Sequence, residues 1–307
     1  MKTRLIGSLN VSVVGVGCNN FGMTIDEHRS ADVVHAALDA GINFFDTADI
    51  YGGTKSEEFL GKALAGRRNK AIIATKFGMR VDADRPGGAQ PDYIGQSVEG
   101  SLRRLGTDRI DLYQIHTPDP KVPLADTLAT LDSLVKAGKV REIGCSNFPA
   151  LLLREADTAV KAGAARFVSI QNQYSLLHRE PEAEVLPACD KLGLAFLPYF
   201  PLANGLLTGK YQKGTPAPKG TRMAMSWAAA GLTDRNFAIV DALRGIAERN
   251  GRTLLELAFS WLLRFPAVTS VIAGATTPDQ IRANASAVGW EISNVDLAQI
   301  DRAAASS

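Results

Sequence analysis

Three cysteines in 307 residues, at positions 18, 145 and 189, are too few and too far apart for a disulfide framework, and no Cys-x-x-Cys pair offers a zinc site. They read as small buried thiols. The four histidines, at 28, 35, 116 and 178, share no paired spacing, so no metal centre is expected. Net charge is nearly absent: 34 Lys and Arg against 32 Asp and Glu leave +2. No basic run is interleaved with aromatics, which argues against nucleic acid as a partner. No apolar stretch is long enough to span a bilayer, and no signal-peptide hydrophobic segment follows Met1-Lys2-Thr3-Arg4. The expectation is a cytoplasmic protein that binds no membrane. One further lack bears on fold. Gly15-Val16-Gly17-Cys18-Asn19-Asn20 follows the first apolar run but misses the third glycine of a Rossmann dinucleotide turn.

What is present is an alternation. Short apolar runs at 13–17, 44–46, 71–75, 112–115, 142–145, 169–172, 195–199 and 270–272 read as strands buried on both faces. Amphipathic patterns at 28–40, 92–105, 124–137, 149–162 and 254–263 read as helices. Glycines at 41, 138 and 193 stop helices at the C′ position. Eight strand–helix units without a break in composition predict an α/β fold, a (β/α)8 TIM barrel formed by 1–307 as one domain. Arg4-Leu5-Ile6 and Val11-Ser12 flank Gly7-Ser8-Leu9-Asn10, predicting a β-hairpin that plugs the N-terminal end of the barrel. Residues 206–233, rich in Gly, Pro, Lys and Met, break the alternation after strand seven, and a loop this long is read as a cover over the site.

Four polar residues stand where apolar strands end. Asp46 follows Gly41-Ile42-Asn43-Phe44-Phe45, with Tyr51 five positions on, Lys76 ends the 71–75 run and His116 ends Ile110-Asp111-Leu112-Tyr113-Gln114-Ile115. In a barrel these positions converge at the C-terminal end, where catalytic residues gather. Each residue alone suits a structural ion pair, a loop anchor or a core histidine; the conjunction points to acid–base chemistry around a phenol. A lysine ammonium beside the phenol is expected to lower its pKa, and a carboxylate behind the lysine to keep it charged. The tyrosine then donates a proton to an oxygen gaining negative charge, and the histidine hydrogen-bonds the same oxygen. Hydride addition to a carbonyl needs this set.

With these stretches in view, the chain resembles the aldo-keto reductases over nearly its whole length. Matching blocks include Gly41-Ile42-Asn43-Phe44-Phe45-Asp46-Thr47-Ala48 with Tyr51-Gly52, and Ala74-Thr75-Lys76. Ser101-Leu102-Arg103-Arg104-Leu105-Gly106-Thr107-Asp108 follows, then Gly144-Cys145-Ser146-Asn147-Phe148 and Gln171-Asn172-Gln173-Tyr174. Gly205-Leu206-Leu207-Thr208-Gly209-Lys210-Tyr211 completes the set. The resemblance implies a barrel that binds NADP (NADPH) in an extended pose, ahead of NAD, with a catalytic tetrad at Asp46, Tyr51, Lys76 and His116. It implies that Ser146, Asn147 and Gln171 hold the nicotinamide carboxamide and that Tyr199 stacks on the ring. It places Pro201, Leu202, Asn204, Gly205 and Lys210 along the pyrophosphate. Gly274, Thr276, Gln280 and Asn284 fall to the adenosine, beside a helix N-terminus that favours phosphate. Gly17, Cys18, Asn19 and Phe200 are counted with these cofactor contacts.

There are departures. Gly274 or Thr276 stands where branches of the family carry Lys or Arg, and Ala283 where a related branch has Glu. Arg222 and Arg282 are the candidates to supply the missing charge at the 2′-phosphate. His116 stands where a relative that reduces a carbon–carbon double bond carries Glu, which favours carbonyl chemistry. The substrate is expected to be a small carbonyl or alcohol, met by a rim of Phe21, Phe77, Met79, Arg80, Arg85, Pro118, Pro120, Met223, Met225 and Trp227. The main reading is an NADP(H)-dependent reductase of aldehydes and ketones. Beside it stand a dehydrogenase of sugars or secondary alcohols and a cofactor-sensing subunit like the potassium-channel β subunits, which share the scaffold. An aldolase using Lys76 as a Schiff base leaves the cofactor segments unexplained. Oligomeric state stays open; no coiled-coil segment is present.

Overall fold

The predicted hairpin is present as β1 (Thr3–Ile6) and β2 (Leu9–Ser12), antiparallel, in the computed structural model, which describes residues 1–305. Gly7 takes φ +55° in its two-residue turn, a conformation that glycine adopts without penalty. Ile6, Leu9 and Val11 are buried against Phe44, Ala74, Leu112 and Ile272, so the hairpin closes the bottom of the barrel. Each such side chain withdrawn from water contributes about 1.5–3 kcal/mol. Arg4 reinforces the closure, donating to the carbonyls of Phe265, at 3.1 Å, and Leu263, at 2.8 Å.

Eight parallel strands follow: β3 (Val14–Gly17), β4 (Phe44–Asp46), β5 (Ile72–Phe77), β6 (Ile110–Ile115), β7 (Val140–Ser146), β8 (Phe167–Gln173), β9 (Ala195–Tyr199) and β10 (Val271–Gly274). They lie in the order β10-β3-β4-β5-β6-β7-β8-β9. The ring closes between β9 and the residues leading into β10. Phe196 N–H donates to Ala267 C=O at 2.7 Å, and Thr269 N–H donates to Phe196 C=O at 3.0 Å. The result is the expected (β/α)8 barrel.

Around it run α1 (Glu27–Asp39), α2 (Lys55–Ala63), α3 (Pro91–Leu105), α4 (Leu124–Lys136), α5 (Ala150–Ala159) and α6 (Val185–Leu192). The set continues with α7 (Ser226–Ala229), α8 (Asp234–Arg249), α9 (Leu254–Leu263), α10 (Pro278–Ser286) and α11 (Asn294–Ala305). Local chemistry sets their ends. Pro91 opens α3 and Gly106 closes it in the left-handed conformation, while Thr253 and Glu256 form a capping box on α9. Among the described residues no helix is long and apolar enough to cross a membrane.

Strand parity divides the apolar residues into two layers. Phe44, Ala74, Leu112 and Leu197 point into the barrel. Phe45, Ile73, Tyr113 and Phe196 point out and pack beneath the helices. The inner positions continue upward as Asp46, Lys76, Gln114 and His116. The same period that packs the interior therefore delivers polar side chains to its upper mouth. The interior is tight: a Cβ on Gly15 would lie 2.8 Å from the Phe44 ring, so the strand can carry no side chain there.

Candidate active site

Strand register brings the four strand-end residues together. Asp46 pairs with Gly17 on one side and Ala74 on the other, and Lys76 pairs with Gln114. The Lys76 ammonium is fully buried and donates to Asp46 Oδ2 at 2.7 Å and to the Thr47 carbonyl at 2.9 Å. Its third direction faces the Tyr51 hydroxyl at 3.5 Å. Tyr51 reaches this point from a short helical turn, Tyr51–Thr54, in which Gly52 and Gly53 both have positive φ. A Cβ on Gly52 would stand 2.4 Å from the Phe21 carbonyl, so only glycine lets the turn approach the segment after β3 this closely. The His116 ring lies edge-on to Tyr51, with centroids 5.8 Å apart and an interplanar angle of 80°.

The electrostatics follow from burial. His116 is pushed down to about 3 by burial, with Lys76 adding to the effect, so its imidazole is neutral at physiological pH. Its Nδ1 is buried without a partner. Burial pulls the Lys76 pKa down, but Asp46 and Tyr51 outweigh it and leave the ammonium above its ordinary value. Tyr51 corrects an expectation. Burial raises the phenol above its ordinary value, and the opposing pull of Lys76 does not reverse the direction. The phenol is therefore a protonated donor at neutral pH, not a phenolate.

The carboxylate is held by more than the lysine. Asp46 Oδ1 accepts from Gln171 Nε2 at 2.8 Å and from Gln114 Nε2 at 3.4 Å. Gln114 escapes the sequence reading, although a signal is there: it lies two residues before His116 and shares its inward face. Ser146 Oγ donates to the Gln171 carbonyl at 2.7 Å. Asn147, at φ +60°, donates from Nδ2 to the His116 carbonyl at 2.9 Å and accepts from Tyr199 Oη at 2.9 Å. The residues expected to hold a carboxamide are thus wired to the four strand-end residues.

Apart from Lys76 and Gln114, which are fully buried behind it, these groups open on one cavity of about 710 Å³. Asp46, Tyr51, His116, Ser146, Asn147, Gln171 and Tyr199 line one end of the set, Phe200, Pro201, Leu202, Asn204, Gly205 and Lys210 the middle, and Gly274, Thr276, Gln280 and Asn284 the other end. Gly17, Asn19 and Arg222 line it as well. Cys18 does not: it is fully buried in the core, and its thiol points to the Val16 carbonyl at 3.7 Å. Phe200, Ala203 and Asn204 all have positive φ, strain of about 1–3 kcal/mol per residue that surrounding contacts must hold. Asn204 Oδ1 is buried and unpartnered. Gly205 is hemmed by Lys210, whose Cε would lie 3.0 Å from a Cβ there. A cleft lined from the strand ends through the 200–210 segment to α10, with orphaned polar atoms at His116 and Asn204, fits an extended dinucleotide.

Residues 206–233 do cover the mouth: Gly220, Thr221, Arg222 and Met225 face the cavity. Arg222 fastens this segment to the turn after β3, donating to Asn19 Oδ1 at 2.9 Å and Asn20 Oδ1 at 3.0 Å, with its guanidinium 5.3 Å from the Phe200 ring centre. Arg282 departs from expectation. It is exposed, pairs with Asp279 at 2.5 Å and faces the groove between α10 and α1. Of the rim residues named from sequence, Met225 lines the cavity, whereas Phe21, Phe77 and Met223 are buried in the core. The side chain of Trp227 lies outside the described residues. Asn20, Thr24, Thr208 and Leu255 line the cavity and escape the sequence reading, because loop contacts carry no period.

The comparisons with known proteins agree with this geometry. The sequence model of the Aldo/keto reductase family matches residues 13–305. An uncharacterized oxidoreductase, YrpG, of Bacillus subtilis (strain 168) is 37% identical over 293 residues, covering 91% of this chain and 88% of its own. A protein of Oryza sativa subsp. japonica named as a probable voltage-gated potassium channel subunit beta is 33% identical over 290 residues, 91% of this chain and 88% of its own. Among solved structures, the glycerol dehydrogenase AKR11B4 from Gluconobacter oxydans superposes with a TM-score of 0.85 at 31% identity, over 98% of this chain and 94% of that one.

Proposed function

The chain belongs to the aldo/keto reductase family, and from that premise we propose that it is an NADP(H)-dependent oxidoreductase that reduces aldehydes or ketones to alcohols. The carrying observation is the buried Asp46–Lys76 pair set against the Tyr51 hydroxyl at the lip of an elongated cavity. The cofactor, when bound, supplies the hydride. Ser146, Asn147 and Gln171 would hold its carboxamide end, Tyr199 would meet its ring, and Gly274, Thr276, Gln280 and Asn284 would receive the adenosine. Tyr51 donates its proton to the substrate oxygen as negative charge builds there. Lys76 lowers the cost of the phenolate left behind, and Asp46 keeps Lys76 charged and aimed. His116, held neutral by burial, contributes one hydrogen bond that orients the same oxygen. Arg222, already on Asn19 and Asn20, is the cation that meets the 2′-phosphate in this reading.

Two measurements test this. NADPH and NADH titrations followed by protein fluorescence should show binding, tighter for NADPH, and an aldehyde panel should consume NADPH absorbance. Tyr51→Phe should lower kcat by about 10²–10⁴ while leaving the NADPH Kd within about twofold. Near-wild-type turnover by Tyr51→Phe would remove the tyrosine from the acid role. Binding without turnover on any carbonyl would favour a cofactor-sensing protein, the reading suggested by similarity to a channel-subunit relative.

A further inference from the structure

A second polar cluster lies outside the cavity, on the outer face of β5 and β6. Its centre is Asp49, two residues before Tyr51. The Asp49 N–H donates to the Lys76 carbonyl at 3.2 Å, and the Tyr51 N–H donates to the Ala48 carbonyl at 3.2 Å. One short turn therefore ties the backbone of the acid to the strand that carries the lysine. Asp49 is 3% exposed; its Oδ1 has no partner, and the Ile50 backbone hydrogen-bonds the carboxyl. Glu57 on α2, Arg104 and Tyr93 on α3, Arg85 before α3 and Tyr113 on β6 are the charged and titratable groups within its electrostatic reach.

None of these neutralises it. Glu57 accepts from Arg104 Nε at 2.7 Å and from Thr75 Oγ1 at 2.5 Å, so Arg104 is committed to the other carboxylate. Arg85 is committed to Asp82, with Nε 2.9 Å from Oδ2. The Tyr113 hydroxyl is fully buried and is itself unpartnered. Asp49 and Glu57 thus share one buried compartment in which Arg104 bonds Glu57, while Arg104, Arg85 and the Ile50 backbone oppose the upward shift of Asp49 without reversing it.

We propose that Asp49 is a positioning residue: its neutral carboxyl lets the Tyr51 turn lie against β5, and its ionised form, repelled by Glu57 and drawn toward water, shifts that turn and withdraws Tyr51 from Lys76. The Tyr51–Lys76 contact, at 3.5 Å, is already long enough that a small shift breaks it. Burial first, and Glu57 second, raise the Asp49 carboxyl to about 7, so the two forms exchange in the physiological range. The consequence for rate rests on Tyr51 being the acid, whereas the titration of Asp49 does not.

The test pairs a rate with a catalysis-free readout. Wild-type kcat at saturating NADPH should fall about tenfold from pH 6 to pH 8, the drop a single ionisation near 7 gives when its ionised form is inactive. Asp49→Asn should keep the pH 6 rate at both values with unchanged NADPH Kd. Thermal unfolding in the Tyr51→Phe background needs no activity. A carboxyl raised in the folded protein stabilises it while protonated, and that stabilisation is lost as pH rises through the folded value. Tm should therefore fall from about pH 5 to pH 7 and level off by about pH 8 with Asp49 in place, and Asp49→Asn should abolish the fall. If Tyr51 is not the acid, the rate arm fails and the unfolding arm stands. Should Asp49→Asn fold poorly, Glu57→Gln removes the repulsion and should move the inflection to lower pH. An inflection near 7 that survives both substitutions overturns the proposal.

Discussion

Replacing Asp46 by asparagine tests the heart of the site with little change in volume. The carboxylate uses both oxygens: Oδ2 takes the Lys76 ammonium at 2.7 Å, and Oδ1 takes the amides of Gln171 at 2.8 Å and Gln114 at 3.4 Å. Asparagine has one oxygen. Whichever way its amide turns, an NH₂ group faces a donor. Lys76 is fully buried and Asp46 is 3% exposed, so the stranded charge has no water to turn to. Breaking a buried pair on one side costs about 3–5 kcal/mol. The catalytic loss follows from the same geometry. Without Asp46, burial becomes the dominant influence on Lys76 and drives it toward the neutral amine. A neutral amine no longer stabilises the phenolate, and kcat should fall by at least about 10²-fold. In the intact protein the Lys76 pKa is raised, so its contribution to stability is complete at neutral pH and is lost only as pH rises through the alkaline range. Urea unfolding at pH 7 reads the first effect, and single-turnover reduction reads the second. An Asp46→Asn protein within about 1 kcal/mol of wild type and with more than about a tenth of its kcat would refute the reasoning.

Other outcomes follow from neighbouring features. His116, at about 3, contributes no ionisation near neutral pH, so His116→Gln should lower kcat without moving any inflection of the pH–rate curve there. Arg222→Ala removes the fastening to Asn19 and Asn20, and stopped-flow measurement should show faster NADPH release. If that guanidinium also reads the 2′-phosphate, the loss in affinity will be larger for NADPH than for NADH. Leu9→Ala opens a cavity in the hairpin plug and should cost about 2–5 kcal/mol in chemical denaturation while leaving KM unchanged, because the plug lies at the end opposite the site.

Legibility differs by residue. Strands 44–46 and 195–199 and helix 254–263 are legible to their ends, because continuous apolar runs bounded by Gly, Pro or caps leave little choice. Other strands extend a few residues beyond the apolar run where a polar residue interrupts it, as Asp111 does in β6. Asp111 is buried nonetheless, because Arg68 at 2.6 Å and Arg141 at 3.0 Å come from other elements to neutralise it. The cavity-lining residues of the 206–233 segment and the burial of Phe21 have no periodic signature, whereas Phe77 is buried because β5 runs on to it and it shares the outward parity of Ile73. The former depend on which loop packs on which.

By itself, the sequence determined the barrel, its hairpin plug and the residue types at the strand ends, since hydrophobic period and turn chemistry are local properties. It also carried the four side chains of the site by their place at the ends of buried strands. Tertiary structure alone decided their states. Burial depth, a property of the whole packed molecule, made His116 neutral, kept Tyr51 protonated and raised the Asp49 carboxyl. It also sent Arg222 to the cavity and Arg282 to the outer surface, a distinction no spacing in the chain records, because it arises from where α10 and the covering segment come to rest.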